Sequence, residues 1–482
     1  MRIEVKNIGK IDHADVKING LTVLVGSNST GKSTISKSLY TLIRGFHNFD
    51  VSLQNEKNRR MCRCIKNWIK KMYEKTIRVV RNSEKISGNG ESFGLIDELR
   101  KIQNRFRISY NTLNDDILEK INIDSKEEFI TAARKLFELD YVEKFLQDNF
   151  SSAYNEVEEV IETLDEIYDD ILVSIEDDTV MRQVIMNIIA ECMEGNMSSQ
   201  FNLKEASGIY LYKQHESELY LSLERKNSDD LDGQLEVHDN NVDENIVYIQ
   251  PMHILDDNDD EFLLSESDLS IFQLLRDQLE KEKGTKEVED IDLSISILKK
   301  IENIMQEEDV FDNEPVGEVR TEKNHFVNRI MYKDSQLDNA ISFNNVASGI
   351  KNIVIIKRLV SNIVLKMGSF LVFDEPEVNL HPDWQLKFAK ILVMLQKELK
   401  LKILINTHSP YFMRALECYC DYYEVMDNLN IYHMEHSENN INQYCTRNIT
   451  DEENGVAELY QELSRPFIKL QEMLEKKYGE DE

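Results

Sequence analysis

The apolar segment Leu21-Thr22-Val23-Leu24-Val25 runs directly into Gly26-Ser27-Asn28-Ser29-Thr30-Gly31-Lys32-Ser33. No other stretch of the 482 residues restricts the fold so tightly. The apolar run reads as a buried strand. Past Thr34, the residues Ile35, Leu39, Leu42, Ile43 and Phe46 recur at helical spacing. Strand, glycine-bearing loop and helix, in that order, form the context of a phosphate-binding loop. Its glycines let backbone N–H groups turn inward around phosphate oxygens, and the helix N-terminus adds partial positive charge there. Lys32 would reach the outer phosphates of a nucleoside triphosphate, and the Ser33 hydroxyl would ligate Mg²⁺. Gly26, Ser27, Asn28, Ser29, Thr30, Gly31, Lys32, Ser33 and Thr34 are the candidate nucleotide-binding residues.

The chain carries 57 Lys and Arg against 89 Asp and Glu, a net charge of −32. That balance argues against broad adhesion to nucleic acid. The chain has no run of 18 or more apolar residues, and Met1-Arg2-Ile3-Glu4 does not read as a signal peptide. Its six cysteines form no CxxC pair, which points to neither a zinc site nor a disulfide framework. The expected location is cytoplasmic, without a membrane partner. One segment opposes the acidic balance: Lys57 to Lys85 holds eleven Lys or Arg against Glu74 and Glu84. Met61, Ile65, Trp68 and Met72 run along one side of it at helical spacing. It is either a solvated basic face or a docking surface for nucleic acid or an acidic partner.

Short strands are expected at Arg2–Val5, Ala14–Ile18 and Leu21–Val25, with Asn19-Gly20 as a hairpin turn. The expected division is 1–44 as the loop part of a nucleotide-binding domain and 45–204 as a helical insertion. Strands of that domain return over 205–253. A helical arm and β-hairpin follow over 254–340, the arm beginning at an N-cap-like Ser267. The second motif block spans 341–440, and 441–482 reads as a C-terminal tail. The acidic run Asp256–Glu261 has no ligand spacing and reads as a loop.

Phe370-Leu371-Val372-Phe373-Asp374-Glu375 is an apolar strand ending in two acids, continued by Pro376-Glu377-Val378-Asn379-Leu380-His381-Pro382. In enzymes with this loop, the first acid holds the Mg²⁺ shell and the second polarises water. A helix follows, with Trp384, Phe388, Ile391, Leu392 and Leu395 on one face. The next strand, Ile403-Leu404-Ile405-Asn406, ends at Thr407-His408-Ser409-Pro410. Each strand thus delivers polar residues at its C-terminal edge, where ligands sit in open α/β sheets. Ser348-Gly349, opening a helix, is either an anion site or an ordinary serine cap.

Together these segments resemble the ABC-type ATPases, and within them the SMC-like branch of the overcoming-lysogenization-defect family. The resemblance rests on GSNSTGKS (26–33), ASGIK (347–351), LVFDEPEVNLHPDWQ (371–385) and INTHSP (405–410). It implies an α/β fold: an ABC-type P-loop domain, mixed sheet plus antiparallel β-subdomain, with large helical insertions. It implies ATP and Mg²⁺ as ligands, with Ser33, Asp374 and Gln250 around the metal. Glu375 would be the general base and His408 the sensor of the γ-phosphate. Ser348 and Gly349 would close on ATP held by another copy in a head-to-tail dimer. ASGIK differs from the LSGGQ wording of transporters. The overcoming-lysogenization-defect proteins usually add a C-terminal Toprim nuclease, yet only 74 residues follow His408, without a DxD pair. The nuclease is then expected to be absent or supplied in trans, an arrangement that resembles the stand-alone ATPases of anti-phage systems, Septu-type first and PARIS-type next.

The expected function is an ATP-hydrolysing assembly switch that controls a separate nuclease of HNH or alternatively Toprim type. Nucleic acid would be reached through the complex. The alternatives are an SMC- or RecF-like repair ATPase that binds DNA directly, and a scaffold that binds ATP without turnover.

Overall fold

The computed structural model describes residues 1–46, 49–86, 93–112, 125–149, 158–176, 180–181, 184, 201, 205–212, 219–225, 234–237, 245–250, 275, 278–279, 288–307, 316–323, 328–452 and 454–478. The chain divides into two compact units, one of Met1–Phe49 with Ile185–Glu482 and the other of Asp50–Val184.

The first unit is built on an eleven-stranded mixed sheet of order β6-β5-β4-β1-β2-β14-β13-β3-β12-β11-β7. Its parallel part joins β13 (Leu429–His436), β3 (Leu21–Val25), β12 (Lys402–Thr407), β11 (Phe370–Asp374) and β7 (Ile246–Ile249). Most of these strands are apolar on both faces, as buried parallel strands are, and β3 is buried at all five residues. The remaining strands are β1 (Arg2–Ile8), β2 (Ile11–Lys17), β4 (Ser207–Tyr212), β5 (Leu219–Arg225), β6 (Gln234–Val237) and β14 (Tyr444–Asn448). They form the largely antiparallel flank. The mixed sheet with an antiparallel flank is the α/β architecture expected. A separate three-stranded sheet joins β8 (Glu318–Lys323), β9 (Asn328–Lys333) and β10 (Ile341–Ser342).

The hairpin expected at Asn19-Gly20 is a correction. β2 pairs with β1 and β14, whereas β3 pairs with β12 and β13. The turn's carbonyls are taken by other strands: Asn430 Nδ2 donates to Asn19 O at 2.9 Å, and Ile403 N donates to Gly20 O at 2.7 Å. The chain therefore crosses the sheet there. The tight hairpin lies earlier, where Ile8 faces Ile11 across Gly9-Lys10. The segment 441–482, read as a tail, supplies β14 to the sheet. Ser267 and the run Asp256–Glu261 lie outside the described residues.

Helix α1 (Lys32–Phe46) packs on one sheet face. Side chains alternate, so Leu21, Val23, Val25, Leu371, Phe373, Ile403 and Ile405 turn to the opposite, larger core. The helical unit comprises α2 (Phe49–Ile86), α3 (Phe93–Thr112), α4 (Lys126–Leu136), α5 (Leu139–Asn149) and α6 (Leu164–Ser174). The other helices of the sheet-bearing unit are α7 (Val288–Gln306), α8 (Ser348–Ser361), α9 (Pro382–Leu399), α10 (Pro410–Tyr422) and α11 (Gly455–Tyr478). Met61, Ile65, Trp68 and Met72 enter the helical unit's core, as their spacing implies. The Trp68 indole also donates to Val160 O at 3.0 Å, so its one polar atom is satisfied.

Truncating Trp68 to Ala should cost about 3–5 kcal/mol, because it leaves a large cavity in the helical core. The check is a fall in the denaturant midpoint for loss of helix signal.

Candidate functional site

The register of the parallel strands assembles the site. Asp374 at the end of β11 lies opposite Asn406 on β12, and Thr407 lies opposite Val25 on β3. The phosphate-binding loop, both acids and His408 therefore share one sheet edge. Gln250 directly follows β7, whose Ile249 faces Phe373. All the sequence-derived candidates except Ser348 and Gly349 converge on this edge.

Within the loop, Ser27, Asn28 and Ser29 are exposed, whereas Gly26, Thr30 and Lys32 are buried. Gly31 has φ +96°, and an added Cβ would sit 2.4 Å from Ile11 Cδ1. A Cβ on Gly26 would meet Met434 Cβ at 2.8 Å. Gly26 is thus required by close approach to β13, and Gly31 by its positive φ. The Thr30 hydroxyl donates to Ser27 O at 3.0 Å and closes the turn. Lys32 Nζ donates to Gly26 O and Ser27 O, both at 2.9 Å. Burial pulls its ammonium below the usual lysine range, opposed by the charges of Glu375, Asp374 and Glu377. Ser33 and Thr34 are half-buried in the first turn of α1, where Thr34 N donates to Gly31 O at 3.0 Å. The N–H groups before it have no place in the helical ladder and face the loop.

Asp374 is held from two sides on the α1 face. Asn406 Nδ2 donates to Oδ1 at 2.9 Å, and the Tyr248 hydroxyl donates to Oδ2 at 3.3 Å. Asn406 Oδ1 in turn accepts from Ser36 Oγ of α1 at 2.9 Å. A buried relay thereby fixes the acid relative to the loop helix. Alternation explains it: Asp374, Asn406 and Tyr248 all point away from the large core.

Glu375 turns off the strand in the left-handed region, φ 48°, with its N–H donating to Asn406 O at 2.9 Å. Its Oε1 lies 3.3 Å from His408 Nδ1. The two side chains remain partly exposed, 29% and 39%. Glu377 differs: its side chain is 4% exposed and faces the sheet's opposite side. One oxygen accepts from Thr407 Oγ1 at 2.5 Å and from His408 N at 3.2 Å. The other finds no hydrogen-bond partner among the described residues. Burial pushes this carboxyl above the usual range. Glu377 Oε1 also lies 3.8 Å from His408 Nδ1, so the imidazole sits between two carboxylates of different exposure.

Helix α8 begins at Ser348, and its cap is Ala347, which has no side-chain acceptor. A serine N-cap is therefore not its arrangement, whereas Ser125 and Ser409 do cap α4 and α10. Asn352 on α8 donates to Pro376 O at 3.2 Å, linking that helix to the loop after the acids. Sequence reasoning missed Ser36, Tyr248, Asn406, Thr407 and Glu377 as site residues. Three of them stand inside the quoted motifs, in Asn406-Thr407 and Glu377, so the signal was present. Tyr248 and Ser36 needed the fold.

The donors fit the ligands the loop implies. Ser33 and Asp374 offer oxygen to a hard cation, and Mg²⁺ typically takes one or two protein oxygens with phosphates and water supplying the rest. No cluster of three or more His, Cys, Asp or Glu at metal spacing exists among the described residues. No described helix is long and apolar enough to cross a membrane.

The fold and the site define a P-loop ATPase that binds ATP. The chain belongs to the AAA ATPase domain family, whose model matches residues 1–413. No curated protein matches it. Solved structures similar to it include an SMC head bound to the C-winged-helix domain of ScpA. That match has 8% identity and a TM-score of 0.37, covering 94% of this chain and 97% of that one. An Smc head with coiled coil and joint from Pyrococcus yayanosii matches at 8% identity and TM-score 0.32, covering 96% and 99%.

Glu377→Gln keeps the acceptor for Thr407 and His408, whereas Glu377→Ala strands both donors and should cost about 2–4 kcal/mol. The raised carboxyl makes the folded state hold a proton that the unfolded chain releases. Its contribution to stability thus falls as pH rises from the ordinary carboxylate range to the raised value. Glu377→Gln should flatten that fall, read as denaturant midpoints across mildly acid to neutral pH.

Proposed function

We propose that this ATPase is a hydrolysing switch subunit whose copies meet head to tail around ATP. Its loop residues Gly26 to Thr34 would hold the phosphates of one copy's nucleotide. Ser348 and Gly349 of a second copy would close over the γ-phosphate. Mg²⁺ held by Ser33 and Asp374, with Gln250 beside it, would neutralise charge on the phosphate oxygens. Glu375 would take the proton from the attacking water, and His408 would register the γ-phosphate.

The observation that carries this reading is the pairing of Glu375 with His408 at 3.3 Å, beside an Asp374 locked by Asn406. A partly exposed carboxylate can accept a proton while a neighbouring one, held by two hydrogen bonds, keeps its place. The signature role is supported by the side-chain-free cap at Ala347, since the first-turn N–H groups of α8 need acceptors. ATP and ADP differ in the one phosphate that both faces would grip, so the nucleotide state biases assembly.

The downstream role rests on the sequence wording. DEPEVNLHP and INTHSP resemble the stand-alone ATPases of anti-phage defence, the Septu protein PtuA first and the PARIS protein AriA second. The partner would then be a separate HNH nuclease, or alternatively a Toprim protein. The neighbouring reading frame and copurification from the native operon test that identity.

Lys32→Ala should abolish ATP binding in a calorimetric titration. Glu375→Gln should bind ATP normally, lose about 10²–10⁴-fold in turnover, and accumulate the larger species in ATP. Normal turnover in Glu375→Gln refutes the base assignment. Ser348→Arg should bind ATP yet stay at its nucleotide-free size; an ATP-driven size increase would remove the shared-site model.

A further inference from the structure

The basic segment singled out in the sequence is not absorbed by ATP chemistry, and its structure is specific. Arg59, Arg63, Lys70, Lys71, Arg78 and Arg81 of α2 are all exposed. At 3.6 residues per turn they occupy an arc of about 120°, extending about 33 Å along the helix. The buried residues Met61, Ile65, Trp68, Met72 and Val79 lie on the opposite side of the same helix. Glu74 is the single acid within the ridge.

The cations of the ridge are largely uncommitted. Arg59 touches Glu56 at 3.7 Å and remains 74% exposed. Arg63, Lys70, Lys71, Arg78 and Arg81 make no ion pair with a carboxylate among the described residues. Neighbouring α3 behaves differently, since Lys101 lies 3.0 Å from Glu98 and Arg105 pairs with Glu138. Among the described residues, the acids at the ridge are Glu74 within it and Glu56 at its N-terminal end, although the chain carries a net charge of −32.

We propose that the outer face of α2 binds the phosphodiester backbone of nucleic acid without regard to sequence. Two features select this occupant. The ridge is a linear array of positive charge, which suits a linear array of phosphates. It also lacks an apolar anchor, because no described residue of α2 is an exposed large hydrophobic. A protein partner needs such an anchor at the centre of its interface, and a membrane surface needs one to insert. Repulsion from the acidic remainder of the chain confines binding to this ridge and keeps it salt-sensitive.

The test is fluorescence anisotropy of labelled duplex DNA and duplex RNA with the full chain, between about 50 and 200 mM salt. Six phosphate contacts predict a log–log slope of about −5. Arg63→Glu/Lys70→Glu/Arg78→Glu should weaken binding at least about tenfold and flatten the slope by about 3. ATP turnover without nucleic acid should be unchanged in that variant. If it misfolds by circular dichroism, Arg63→Gln/Lys70→Gln/Arg78→Gln should show the same direction. Lys32→Ala should bind the duplex as the parent does, so failure of the ATPase switch leaves this inference standing. A slope near zero, or wild-type affinity in the glutamine variant, overturns it. Tighter binding of polyglutamate than of either duplex also overturns it, in favour of an acidic protein. DNA and RNA binding alike fit a backbone contact, and preference for one would assign the source.

Discussion

The carboxamide of Asn406 holds the site together. It donates to Asp374 and accepts from Ser36, so one buried side chain joins the acid strand to the helix that carries Lys32. This works because β11 and β12 are parallel and in register, with Asp374 beside Asn406. In a low-dielectric interior such a bond is stronger than in water, and an unmade one is costly. The acid is thereby denied the freedom that an exposed strand end would give it.

Around that fixed point the chain separates two glutamates by environment. Glu375 leaves the strand through a left-handed residue, which costs about 1 kcal/mol for a side chain with a Cβ and swings its carboxylate toward His408. Glu377, two residues on, turns inward to Thr407 and the His408 amide. The first stays partly exposed beside the imidazole; the second anchors the backbone on which the imidazole rides. Pairs of carboxylates with divergent surroundings are a common way for one site to divide acid–base work from positioning.

The two units also divide the electrostatics. The sheet-bearing unit gathers its candidate site residues at one edge and buries Lys32 among acids. The helical unit lines one face of α2 with exposed cations. A strongly acidic total thus conceals a local basic surface, which is why net charge alone was a poor guide to it.

Much of this was written in short-range pattern. The loop demanded its strand and helix because glycines, lysine and hydroxyl work only at that junction. The apolar segments Leu21–Val25, Phe370–Phe373 and Ile403–Ile405 read as buried strands and are so. The stripe of Met61, Ile65, Trp68 and Met72 was likewise a helix face. Asn19-Gly20 misled because a turn residue reports local geometry, whereas strand partners are chosen by burial across hundreds of residues. The same distance hid β13 and β14, whose place beside β3 and β2 depends on pairing no local pattern encodes. Residue order specified which chemistry this protein carries. Only the folded sheet decided that Tyr248 and Asn406 would grip Asp374, that Ser36 would hold Asn406, and that Glu377 would face away. Side-chain direction in a sheet follows from register, and register is a property of strands meeting in three dimensions.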